Sequence, residues 1–324
     1  MSAKYIRFNY FQTRLKPDVD PEIIQDQNYS APWDMMDLIN YLSVRRNELD
    51  DVVDLGEYRA ELDRTTFINA VNPEVHSFQI TKLRDRGLPS IKVIGIPRKE
   101  LDLEENQYIG EFISIVFDPL YCSVGIQSNI YSLNINQVEV FLTEIRRRHK
   151  QQIGNPDPVP LKVVLRPLID FNKVGDIRNA DIFRKITIKG SAAAAEALAD
   201  NQTAHALSEM VGEIQGLNFE LSFSLGRAPK DQSLNQRVIR NIIDTFNQID
   251  EGDRPKIEIS GKSDEESPLE VINLLSPRLT NRVKINDENI QAIGHELMHD
   301  SFMEKYNEIR PSIAGIIRIN RRQD

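Results

Sequence analysis

The chain is poor in the residues that make several common sites. Among 324 residues there is a single cysteine, Cys122. One thiol excludes an internal disulfide framework and any paired Cys-x-x-Cys zinc site, and it suits a reducing compartment. Glycine is also scarce, at 15 residues. The G-x-x-x-x-G-K-[ST], G-x-G-x-x-G and G-x-S-x-G patterns are all missing, so phosphate-cradling loops and a nucleophile elbow are not expected. No apolar run approaches the ~20 residues that span a bilayer. The opening MSAKYIRFNYFQTRL lacks the basic, apolar and small-residue order of a signal peptide. A cytoplasmic protein without a membrane partner is therefore expected. Positive charge is not in excess either. The formal net charge is -9, the wrong sign for coating nucleic acid, where phosphate neutralisation drives binding.

What is present is a mixed α+β pattern. KYIRFNYF reads as a strand. APWDMMDLINYLSVRR reads as a helix with acids first and Arg45-Arg46 last, the order the helix dipole favours. Between residues 50 and 130, GEYRAELDRTTFIN, VHSFQITKLR, PSIKVIGI, QYIGEFISIVFD and YCSVGIQS are short β-branched or aromatic runs broken by turn signals. They predict an antiparallel meander with a hairpin around Asp118-Pro119. INQVEVFLTEIRRRHKQQ predicts an amphipathic helix, with Asn136 as candidate N-cap and a basic end. QIGNPDPVP, residues 152–160, is proline-rich and aperiodic, and it is expected to separate two domains: an antiparallel β-rich domain with two helices over 1–152 and an α/β domain over 160–324.

In the second part, strand and helix patterns alternate. LKVVLRPLI, FRKITIKG, NFELSFSLGR, RPKIEISGK and TNRVKI predict strands. The Ala-rich stretch from Ser191 to Ile214, SLNQRVIRNIIDTFNQI with Ser233 as cap, and DENIQAIGHELMHDSFMEKYNEI ending at Pro311 predict helices. SIAGIIRIN reads as a closing strand. KITIKG, ELSFSLG and KIEISG each end in glycine, either as a weak internal repeat or as strand ends of an alternating βα layer.

Three constellations carry chemistry. The first is His295-Glu296-Leu297-Met298-His299. Histidines four apart share a helix face and can bind one Zn²⁺, while Glu296 can act as general base on the bound water. The stretch AIGHELMHD resembles gluzincin peptidases. The resemblance implies a third acidic ligand further downstream, where only Asp324 is available, and Asp300 and Ser301 depart from the pattern. The competing reading puts an apolar stripe on Ile290, Ile293, Leu297 and Met298, with the histidines beside it. The second constellation is Arg146, Arg147, Arg148, His149 and Lys150, with Arg45-Arg46 and Arg321-Arg322 as companions. It is either a nucleic-acid patch or the basic end of a helix stabilised by its dipole. The third is Glu258 with Lys262, a poor match to a metal-dependent nuclease strand because the spacing is four rather than two. His205, His76 and Cys122 read as packed or solvated residues.

ENQYIGEFISIVFDPLYCSVGIQSNIYSLNINQVEVFLTEI, together with KYIRFNYFQ and VVLRPLI, resembles a family of uncharacterised bacterial proteins. Its genes are often found near mobile-element or phage-defence genes, and HELMH lies outside its pattern. The resemblance implies a defence-associated accessory protein. The leading expectation is a non-enzymatic binding or assembly component of an anti-phage system. It would act on a protein partner or a second copy, with local nucleic-acid contact through Arg146, Arg147, Arg148 and Lys150, and without a cofactor. The alternatives are a zinc-dependent metallohydrolase using His295, Glu296 and His299, with zinc held by His295 and His299, and a nucleic-acid-binding or cleaving protein.

Overall fold

A computed structural model describes residues 4–18, 30–44, 49–71, 73–191, 194, 209, 213–214, 218–249, 254–285 and 294–320. The fold is α+β, with two compact units: residues 1–168 with 280–324, and residues 169–279. No helix of the described residues is long and apolar enough to cross a membrane. The Ala-rich helix expected over 191–214 lies almost wholly outside the described residues, with His205. Arg45, Arg46, Arg321, Arg322, Asp324, Ile290 and Ile293 lie outside them too.

The first unit is built on a nine-stranded antiparallel sheet. Its order is β10 (Leu161–Pro167), β1 (Lys4–Pro17), β9 (Ser123–Gln127), β8 (Ile109–Asp118), β5 (Glu74–Arg84), β4 (Arg59–Val71) and β3 (Val53–Asp54), with β15 (Thr280–Ile285) and β2 (Ala31–Pro32) also paired to β1. The hairpin expected at Asp118-Pro119 is present, with Asp118 opposite Ser123. PSIKVIGI forms a strand only at β6 (Ser90–Ile91), which pairs β7 (Lys99–Glu100) in a separate ribbon.

The domain boundary expected at 152–160 lies inside this first unit. The segment leads from α2 (Ile135–Gln152) into β10, and β10 is held to β1 over Phe11–Pro17. β15 pairs the same strand over Lys4–Asn9. Pro167 lies opposite Phe11 and Thr280 opposite Asn9. The intervening chain therefore leaves and rejoins the sheet at neighbouring positions of β1, which makes residues 169–279 an insertion. Proline content marks the loop at 152–160, whereas long-range ladder pairing decides the unit.

Side-chain alternation gives the sheet two different faces. On one, Phe78, Ile80, Ile113, Ile115 and Phe117 pack with Leu38, Ile39 and Leu42 of α1 (Met36–Val44) and with Val138, Phe141, Leu142 and Ile145 of α2. Asn134, not Asn136, caps α2: it accepts from the Gln137 N–H at 3.0 Å, while Gln137 returns a bond to the Asn134 N–H. The other face meets a long helix, His295–Asn320. Phe302 of that helix lies 4.7 Å from the Phe8 ring and 5.1 Å from Tyr306. A Cβ on Gly125 would come within 3.0 Å of Phe302, so glycine lets the helix seat on the sheet. SIAGIIRIN is not a strand: the helix runs through Pro311. Ile313 and Ile317 continue the buried stripe of Phe302 and Tyr306 at helical spacing, and that burial offsets the cost of an internal proline, about 3 kcal/mol.

The second unit is a four-stranded antiparallel sheet, in the order β12 (Asn218–Ser224), β11 (Ile182–Ser191), β13 (Lys256–Lys262) and β14 (Glu270–Asn273). The three glycine-ended segments are adjacent strands within it. α3 (Asn172–Arg178) and α4 (Gln236–Gln248) complete the unit, and Ile177, Ile239, Ile243 and Phe246 join Phe183, Ile186, Ile257 and Ile259 in its core. Asn235 caps α4 through the Val238 N–H, and Ser233 instead accepts from the Phe183 N–H. The final helix, His295–Asn320, is α5.

Candidate functional site

The first turn of α5 carries HELMH. His299 is buried, His295 is half-buried, and Glu296 is exposed. The rings are not free to converge on an open position. Ser77 of β5, with no exposed surface, holds its Oγ 2.8 Å from His299 Nδ1 and 3.4 Å from His295 Nε2. Burial, with the neighbouring His299, lowers the His295 pKa to about 4, although the Thr66 carbonyl and Asp63 favour its protonated form. Burial also lowers the His299 pKa, and Asp300 opposes the shift. Both imidazoles are therefore neutral near pH 7, as metal ligands must be, and equally as a hydrogen-bonded pair.

A catalytic zinc takes three protein ligands and an open position. Among the described residues no group of three His, Cys, Asp or Glu could hold a metal, and the Ser77 hydroxyl sits against both rings. These residues fit a hydrogen-bonded histidine pair better than a zinc centre. A nucleophilic Ser77 is equally poorly served, since a fully buried hydroxyl cannot meet substrate.

Further along α5, Tyr306 Oη donates to Asp118 Oδ2 at 2.6 Å and Arg310 Nε donates to the same oxygen at 3.0 Å. Asp118 is 1% exposed. Its other oxygen accepts from the Leu120 N–H at 2.9 Å and so shapes the β8–β9 turn. Burial and the Asp118 carboxylate raise the Tyr306 pKa, so the phenol remains a donor. The carboxylate is thus paired and hydrogen-bonded, as a buried charge must be.

The basic run at the end of α2 is largely consumed by local partners. Arg146 is buried, pairs with both Asp157 oxygens, one at 2.9 Å, and lies over the Trp33 ring. That pairing lowers the Asp157 pKa. Arg148 reaches Glu144 at 2.8 Å, the Asp50 carboxylate at 3.1 Å and the Val52 carbonyl at 2.8 Å. Arg147 pairs with Glu144 at 2.6 Å but keeps most of its side chain in solvent. His149 is buried against Tyr41. An open cleft of about 890 Å³ beside this helix is lined by both signs of charge, including Glu139, Glu144, Arg147, Lys150, Asp157 and Lys162. Arg146, Arg148 and His149 tie α2 to its surroundings.

Glu258 and Lys262 do not form a nuclease pair: Glu258 meets Lys256 at 3.0 Å, and Lys262 donates to the Glu265 carbonyl at 2.9 Å. His76 is buried, with Asn69 at 2.8 Å and Glu74 at 3.6 Å as partners. Cys122, half-buried, occupies the β8–β9 turn with φ +46.

The feature that charge and motif reading passes over is the connection between β5 and β8. Residues 85–107 form an arm whose positions 89–100 are all exposed. At its tip the Ile96 N–H donates to the Val93 carbonyl at 3.1 Å, and Gly95 takes φ +82. That conformation suits glycine at the third position of a type II turn and pushes Ile94 outward. Ile94 is 99% exposed, and Ile91, Val93 and Ile96 are 53%, 54% and 56% exposed. At the base, Lys82 lies 3.9 Å over the Tyr58 ring and donates to the Tyr131 carbonyl, and Arg59 lies 4.9 Å over Tyr108. The arm thus springs from a well-tied sheet end.

No curated protein matches the sequence. A family model described as a family of unknown function, DUF6731, matches residues 1–315; the expected kinship with an uncharacterised family holds, and the chain belongs to that family.

Proposed function

We propose that the protein is a non-enzymatic binding or assembly component and that the 85–107 arm makes its contact with another protein. The observation that carries this reading is the aliphatic tip: Ile91, Val93, Ile94 and Ile96 are exposed together at one turn. Scattered surface aliphatics need no explanation, but a cluster marks an interaction site. A ribbon of two short strands is also marginal in water by itself, so a partner that covers it supplies what its own chain does not. The anti-phage setting of this role rests on the family resemblance alone, and a cytoplasmic location on the single cysteine. Local nucleic-acid contact through Arg146 to Lys150 draws less support, because Asp157, Glu144 and Asp50 already pair with the arginines.

The test is site-specific photo-crosslinking in cells making the full chain. A photoreactive residue at Ile94 is compared with one at Leu120, which is 62% exposed in the β8–β9 turn. A discrete protein adduct from position 94 and none from 120 is expected. No adduct from 94, or equal adducts from both, contradicts the reading.

A further inference from the structure

We infer that the arm docks into a different protein, at an apolar socket rimmed by aspartate and glutamate side chains. This rests on the arm being the contact surface and adds the chemistry of what covers it. Charge changes sign along the length of the arm. Ile91 lies opposite Lys99, and Ser90 lies opposite Glu100 one rung nearer the root. Beyond the Ile91–Lys99 rung the tip carries Lys92 and Arg98 beside Val93, Ile94 and Ile96, and residues 91–99 include no acid. Towards the root, Glu100, Asp102, Glu104 and Glu105 follow. Lys92, Arg98 and Lys99 are all exposed, and none of them forms an ion pair with another described residue. An aliphatic knob flanked by three bases thus stands at the end of an arm whose root is acidic.

The knob is preformed. The bond between the Ile96 N–H and the Val93 carbonyl closes its turn, Lys92 Nζ donates to the Ile96 carbonyl, and Pro97 restricts the backbone that follows. A turn ordered before contact loses less entropy on docking. Its aliphatic side chains gain only where apolar surface receives them, and its bases gain most where anionic groups stand at the edge. A nucleic acid supplies the anions but leaves the aliphatic side chains in water. An anionic bilayer supplies both, but its surface charge reaches ~10 Å at 0.1 M salt. A strand advances ~3.3 Å per residue, so Glu100, next to Lys99, stands within that reach and is repelled. The chain's net charge of -9 adds to that repulsion. Carboxylates on a protein rim are discrete and can face Lys92, Arg98 and Lys99 without facing the root. Two tips of this chain brought together would set base against base, which disfavours a second copy as the occupant.

The experiment repeats the position-94 crosslink in cells making full-length chains that differ only in the charge of the arm. One variant carries Lys92→Glu, Arg98→Glu and Lys99→Glu. A second keeps the charge with Lys92→Arg, Arg98→Lys and Lys99→Arg. A third neutralises the root with Glu100→Gln, Asp102→Asn, Glu104→Gln and Glu105→Gln. The first is expected to lower the adduct yield at least about tenfold, because it sets like charges against the rim. The second and third are expected to keep the adduct, and all three to keep the wild-type urea midpoint, since the sites are exposed. Mass spectrometry of the adduct locates the site on the partner. Reversing the acids around that site to lysine is expected to remove the wild-type adduct and to restore that of the acidic-tip variant. An adduct that ignores tip reversal, an equal loss in the charge-keeping variant, or a partner site with no carboxylate around it overturns the inference. So does an adduct between two copies of this chain, or purified wild type that pellets with phosphatidylserine vesicles. An adduct to a different protein that ignores tip charge leaves the binding reading standing. No adduct from position 94 overturns both.

Discussion

The apolar side chains of β8 and those of the arm that precedes it have opposite fates. Ile113, Ile115 and Phe117 are fully buried under α1 and α2, whereas Ile91, Val93, Ile94 and Ile96 face solvent. Both stretches are β-branched and aliphatic, and both read as strands. The difference is partnership. β8 is paired on both sides, by β5 and β9, and its odd-numbered residues meet two helices. The arm pairs only with itself, over two residues on each limb. Aliphatic content therefore builds the fold in one place and stays in solvent in the other.

Substitutions separate the two roles, and the largest effect on stability falls in β8. Phe117→Ala should cost about 3–5 kcal/mol in urea unfolding, the usual range for emptying a buried aromatic site. Next comes Asp118→Ala, on the opposite face of the same strand. It removes the shared acceptor of Tyr306 and Arg310 and should cost about 2 kcal/mol, with Tyr306→Phe costing about half as much. If Asp118→Ala were neutral, α5 would not be held by that polar contact.

Acid should act on the α5 face and not on the arm. The His295 pKa is lowered from its usual 6.5 to about 4, so the unfolded chain binds the proton first. The stability contributed by the neutral ring is present above pH 6.5 and is lost as pH falls through about 4. His299 acts in the same direction. The groups facing them, Asp63, the Thr66 carbonyl, Asp300 and Ser77, moderate the effect. Urea midpoints followed from pH 7 to 4 should fall less steeply in His295→Gln than in the wild type; parallel curves would place the acid sensitivity elsewhere.

Much of the local structure was legible in the sequence. The Asp118-Pro119 hairpin, the amphipathic α2 and the strand TNRVKI follow from alternation, helical spacing and turn residues. Long-range pairing was not legible. Ser77 meets His299 across 222 residues and Tyr306 meets Asp118 across 188, and no local pattern encodes such partners. The same limit hid the insertion, because both β10 and β15 dock on β1. SIAGIIRIN misled through its β-branched residues, whose burial against the sheet keeps them helical past Pro311. HELMH has the spacing of a metal motif, yet its ring partners lie on β5.

The most direct test of the central claim measures Ile94→Asp twice, by urea unfolding and by photo-crosslinking in cells from a photoreactive residue at position 96. The account predicts unfolding within about 0.5 kcal/mol of the wild type, as for an exposed site away from the core, together with loss of the protein adduct. A loss of stability comparable to that of Phe117→Ala, or an unchanged adduct, would contradict it.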